Sequence, residues 1–150
     1  MTPVIIVAVT VLVALIGRRA VASGMGWYRT LRLPLWAPSG RFIALAWAVV
    51  YATTATSAIM VFRRTTSEPF IGIAALFLIN AGLHLLWSHL FFQRRRVGAA
   101  LIEMQVLWAT VLLLIALIGP SSPLAAALLI PYAAWVPVAS ILCWRVWRLN

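Results

Sequence analysis

Asn80, His84 and Trp87 follow one another at i, i+4 and i+7 within LINAGLHLLWSHLFFQRRR, Leu78 to Arg96. On a helix they share one face. An amide and an imidazole in so apolar a run are costly in hydrocarbon unless turned into a bundle and paired there. Trp47 and Tyr51 share a face by the same i, i+4 rule, and Tyr132, Trp135 and Ala139 repeat the pattern near the C-terminus. If these faces converge, they line a cavity with aromatic walls and a few hydrogen-bonding groups. That composition suits a flat apolar ligand. The plainer reading is interhelical packing, with Asn and His satisfied by neighbouring helices and Trp and Tyr serving as interface belts. Trp27, Trp36, Trp144 and Trp147 lie near span ends and suit a belt, whereas Trp47, Trp87 and Trp135 sit inside spans.

Other chemistry is sparse. The two acidic residues are Glu68 and Glu103, and there is no aspartate or lysine, so a Ser–His–Asp triad cannot be built and a paired-carboxylate site is implausible. No glycine-rich phosphate loop is present. Two histidines without cysteine or acidic neighbours at ligand spacing argue against zinc, and no metal site is expected. His84 could ligate haem iron or be a hydrogen-bonded structural residue. Glu103 is the one acidic residue inside a span. His89 lies seven residues before Arg96 and Glu103 seven after it, so in an antiparallel hairpin both sit roughly 10 Å below the turn. Equal depth permits a His89–Glu103 hydrogen bond.

The elements that must position these groups are membrane spans. The chain is 65% hydrophobic and 9% charged, with mean hydropathy +1.05, far from a soluble domain at roughly 25% charged. Five stretches reach the ~20 apolar residues a span needs: 3–21, 42–62, 69–92, 97–119 and 123–147. The expectation is an all-α membrane protein, a single five-helix bundle over 1–150 with no soluble domain or internal repeat. Ala22–Arg41, rich in Gly, Pro and aromatics, is expected to fold as a lid over one end. The N-terminal run lacks a basic leader and cleavage site, and reads as a retained first span.

All twelve basic residues are arginines, clustered between apolar runs as Arg18-Arg19, Arg63-Arg64 and Arg94 to Arg96. Such placement signals topology and headgroup anchoring, not a nucleic-acid partner. With five spans, the first and third loops and the C-terminus share the arginine-rich side. The positive-inside rule makes that side cytoplasmic, with the N-terminus outside. Cys143 is the single cysteine, which excludes an intrachain disulfide.

Several segments, in order, resemble the tryptophan-rich sensory protein, or translocator protein (peripheral benzodiazepine receptor), family. WYRTLRLPLWAP (Trp27–Pro38) is similar to its first-loop signature. AWAVVY (Ala46–Tyr51), WSHLFF (Trp87–Phe92), ALIEMQVLW (Ala100–Trp108) and PYAAW (Pro131–Trp135) followed by Ala139 are similar to its second to fifth helices. The resemblance covers nearly the whole chain. It implies a five-helix bundle, often a homodimer, in a membrane that for a bacterial member is the cytoplasmic one. It also implies a pocket for porphyrin or haem lined by Trp47, Tyr51, Trp87, Trp135 and Ala139, with Trp27 and Pro34 to Pro38, Trp36 included, shaping the lid. Asn80 and His84 stand where the family usually carries Gln and Asn, and His89 where it often carries Pro. LCWR (Leu142–Arg145) lacks the Tyr of the sterol motif. Arg29, Arg32 and Arg41 could pair ligand propionates or anchor headgroups.

The leading expectation is thus a sensor or carrier binding a tetrapyrrole, with no cofactor required. The alternative is an enzyme that degrades bound porphyrin in light and oxygen, with Trp47 and Trp135 as candidate catalytic residues. A transporter is disfavoured by the lack of an inverted repeat or broken-helix pair.

Overall fold

A computed structural model describes residues 3–64 and 69–150; Glu68 lies outside the described residues. The elements are α1 (Pro3–Tyr28), α2 (Gly40–Arg64), α3 (Pro69–Ser88) continued by a π-helical turn (His89–Gln93), α4 (Val97–Ile118), α5 (Pro123–Ala127) and α6 (Ile130–Leu149). The described residues form five segments long and apolar enough to cross a membrane. α1 packs on α2 and α3, α2 on α5 and α6, α6 on α4, and α4 on α3, which closes a ring of five around the core. The core has three layers. One lies near the N-terminal end around Phe62, Leu114 and Leu129, one in the middle around Met104, Leu107 and Val136, and one at the arginine-rich end around Phe91, Phe92 and Val146.

The first span runs well past Val21. α1 continues to Tyr28 through Gly24 and Gly26, which shortens the expected 22–41 connection to the segment after Tyr28. Gly24 is what permits the continuation. A Cβ there would lie 2.7 Å from Phe92 Cβ, so only glycine lets α1 meet the π-turn backbone this closely. Arg18 and Arg19 accordingly lie inside α1 and not at its end, both exposed. Their long side chains can reach the headgroups from there.

The fifth span is broken, which the sequence reading did not foresee. Pro131 has no N–H for Ala127 O, and its ring crowds that carbonyl. The chain turns at Leu128-Leu129 and restarts as α6. Pro137 removes the bond to Ala133 O in the same way, inside α6. Here the freed acceptor is taken from outside the helix: Trp108 Nε1 of α4 donates to Ala133 O at 2.9 Å. Such external satisfaction is what lets a proline persist in a span. Across the bundle, Ser57 Oγ likewise donates to Ala125 O at 2.7 Å, and Asn80 Nδ2 to Thr110 Oγ1 at 2.8 Å.

The expected His89–Glu103 bond is absent. Arg94 N–H closes on His89 O at 2.9 Å, making the wider π-turn, and the His89 ring pairs with Gln93 Oε1 and with Arg94 Nε instead. Equal depth did not bring equal facing. Both Glu103 oxygens are buried without a partner.

Two substitution sets test this packing. Gly24→Ala should lower stability by about 1–3 kcal/mol, while Gly26→Ala, with open space around it, should be neutral or stabilising in thermal unfolding. Trp108→Phe should cost about 1–3 kcal/mol by orphaning Ala133 O. That cost should shrink in a Pro137→Ala background, where the backbone bond can re-form; an undiminished cost would show that the indole serves packing alone.

Candidate functional site

The α2 face Trp47–Tyr51 and the α3 face Asn80–His84 meet. They do so around a cavity of about 100 Å³ that also touches Tyr132 of α6 and Thr10 of α1. Tyr51 Oη lies 2.6 Å from His84 Nε2, across α2 and α3, with the rings perpendicular. The Trp47 ring lies 4.5 Å from the imidazole, centroid to centroid, and 6.0 Å from Tyr132. Gly17 of α1 backs this pair: a Cβ on it would stand 3.6 Å from Tyr51 Oη and 3.9 Å from His84 Nε2. Ser88 Oγ donates to His84 O at 3.1 Å.

His84 is 6% exposed, yet its Nδ1 has no partner, nor has the buried Thr54 Oγ1 on the same cavity. The Tyr51 contact decides what His84 presents. If Tyr51 O–H donates to Nε2, the proton of a neutral ring sits on Nδ1 and one donor is left over. The opposite tautomer leaves both the Tyr51 hydroxyl proton and the Nδ1 lone pair unused. Fewer orphans in low dielectric favours the first.

The other expected site residues lie elsewhere. Trp87 stacks on Phe91, centroids 5.4 Å apart. Trp135 packs against Phe42 at 6.0 Å, and Ala139 lies against the middle core layer. None of the three lines the cavity. The indole N–H groups of Trp87 and Trp135 are buried without partners. Trp27 sits edge-on to Phe91 at 5.6 Å beneath the Arg95 guanidinium, and Trp36 is 49% exposed.

No residue of the first loop lines the cavity. The loop is held at the arginine-rich end by Asn150, whose Oδ1 accepts from Arg32 N–H at 2.9 Å and whose Nδ2 donates to Arg32 O at 3.1 Å. Thr54, missed by the sequence reading, was within its reach: it follows Tyr51 by three residues and Trp47 by seven. The α1 contribution was not, because Ile6, Val9 and Val13 look like any lipid-facing residues.

The model of the TspO/MBR family matches residues 4–148. The chain belongs to the TspO/MBR family of membrane proteins. Its similarity to a tryptophan-rich protein TspO of Bacillus cereus is 31% identity over 124 residues, covering 83% of this chain and 80% of that one. A translocator protein of Sus scrofa is 30% identical over 135 residues, covering 89% and 80%. Protein CrtK of Rhodobacter capsulatus is 28% identical over 132 residues, covering 87% and 82%. In this TspO/MBR chain a tyrosine–histidine pair forms the polar point of the cavity.

Coupling between those two side chains is measurable. Tyr51→Phe and His84→Phe, alone and together, should give a coupling energy of about 0.5–3 kcal/mol in a double-mutant cycle. Additive effects would mean that the hydrogen bond contributes nothing to the fold.

Proposed function

We propose that this chain is a membrane sensor or carrier that binds a hydrophobic small molecule of the porphyrin or haem type at the Trp47–Tyr51–His84 cavity. The observation that carries this reading is the conjunction of ring-lined walls with an unpartnered polar atom on a buried imidazole, inside a membrane-spanning bundle. A drug-sized ligand occupies roughly 300–1,000 Å³, so a macrocycle requires the cavity to widen from about 100 Å³. The wall able to yield is α1. Its buried residues are Ile6, Gly17, Ala20 and Gly24, which leaves its stretch between Ile6 and Gly17 with little core to lose. His84 Nδ1 suits a hydrogen bond to a propionate or, in the other tautomer, a bond to iron.

The arginine-rich end is read as cytoplasmic. Two contacts support the grouping of loops that this requires: Asn150 on Arg32, and Arg95 over Trp27. Pairing of two chains through α3 is supported by Gly72, Ala75, Ile79, Gly82 and Leu86. They recur at heptad spacing on an exposed stripe, with nothing near either glycine.

A second reading, light- and oxygen-dependent breakdown of bound porphyrin, is favoured by one observation. Trp47, an oxidisable indole, is in ring contact with His84, Tyr51 and Tyr132.

Titrating protoporphyrin and haem into the detergent-solubilised protein tests the binding reading. Tryptophan quenching should saturate, and Trp47→Phe should weaken binding at least severalfold while Trp135→Phe changes it little. Equal affinity in wild type and Trp47→Phe would contradict this site. Under illumination, bleaching that is lost in Trp47→Phe supports turnover, and equal bleaching in both rejects it.

A further inference from the structure

The cavity has a direction. One end, at Tyr51–His84, is level with Gly17 and hence with the exposed Arg18-Arg19 pair, and the polar lining residues further along, Asn80 and Thr10, are already bonded to Thr110 and to Ile6 O. The lining runs along α3 from His84 to Ala74, ten residues or about 15 Å, and reaches Phe62 and Phe77, whose rings meet at 6.0 Å. A volume near 100 Å³ drawn out over that length is a slot, shaped for a chain more than for a plate.

The slot also opens sideways. Leu78 of α3, one of its lining residues, is 55% exposed, and Val9 and Val13 of α1 share that lining, which points to a mouth between α1 and α3, toward lipid. No arginine lines it. An ionised headgroup would therefore be stranded there in low dielectric, whereas a neutral oxygen acceptor would relieve the two orphaned polar atoms, His84 Nδ1 and Thr54 Oγ1.

A lipid in the adjoining leaflet has these features in this order. Its head is at arginine level, an ester carbonyl lies just below, and an acyl chain runs toward the bilayer centre. We propose that the slot takes the acyl chain of a neutral ester lipid, admitted between α1 and α3, with its ester oxygens accepting hydrogen bonds from the unpartnered donors of the lining, His84 Nδ1–H and Thr54 Oγ1–H. This rests on the reading that the cavity is the binding site. It adds a second class of ligand for that cavity, with its orientation and its route of access.

Equilibrium retention of radiolabelled probes by the detergent-purified protein tests the proposal. Methyl oleate should bind saturably. Oleate at pH 8 and a hydrocarbon of matched length should each bind roughly tenfold more weakly, the size of one buried hydrogen bond. His84→Phe should bring methyl oleate down to the hydrocarbon's level. Thr54→Val, which leaves the Tyr51 contact untouched, should weaken it severalfold. Equal retention of ester and hydrocarbon, or an unchanged affinity in Thr54→Val and His84→Phe alike, would overturn the proposal. Protoporphyrin titrated into the same samples separates the two readings. Porphyrin binding without ester preference sinks only the lipid inference, and loss of both sinks the site.

Discussion

A polar atom within a lipid-embedded bundle has no water to fall back on, so each must find its partner inside the protein or wait for one. The organisation of this chain follows from how it meets that demand. Ala133 O, released by Pro137, takes the Trp108 indole. Asn80 takes Thr110, and Ser57 takes the Ala125 carbonyl near the break in the fifth span. These bonds join α2 to α5, α3 to α4 and α4 to α6, so the satisfaction of polar groups also ties the ring of helices together.

Against that background, the atoms left unpaired are informative. Tyr51 satisfies one nitrogen of His84 and leaves the other unpaired, as is Thr54 Oγ1, and both residues line the same cavity. A structural histidine would be expected to have both nitrogens engaged. The cost of one open nitrogen is carried by packing that is otherwise dense, with Trp47 against the imidazole and Gly17 closing the α1 side. The Glu103 carboxylate and the Trp87 and Trp135 N–H groups are a second set of unpaired atoms. They lie off the cavity lining, and nothing in the structure assigns them a ligand.

Much of this was legible in the sequence. Hydropathy marked the five spans, because length and apolar content are what a bilayer demands. The i, i+4 rule placed Trp47 with Tyr51 and Asn80 with His84, because helical geometry is local. What stayed hidden depends on how helices face one another. Trp87, Trp135 and Ala139 satisfy the same periodicity and pack on the same middle layer as Trp47, but away from the cavity, and the π-turn at His89 re-aims a ring that depth alone had matched with Glu103. The break before Pro131 was readable in principle, since a proline there frees the Ala127 carbonyl however the helices pack. The extension of α1 to Tyr28 was not, because Gly24 looks like a helix breaker until Phe92 is seen against it.

The protonation of one ring tests the central claim most directly. With two histidines in the chain, ¹⁵N-histidine labelling of the protein in lipid, with His89→Gln to remove the second signal, isolates His84. The account predicts a neutral ring at pH 7 with its proton on Nδ1 and an unprotonated Nε2 held by Tyr51, an arrangement lost in Tyr51→Phe. A proton on Nε2, or a ring in rapid exchange with bulk water, would contradict it.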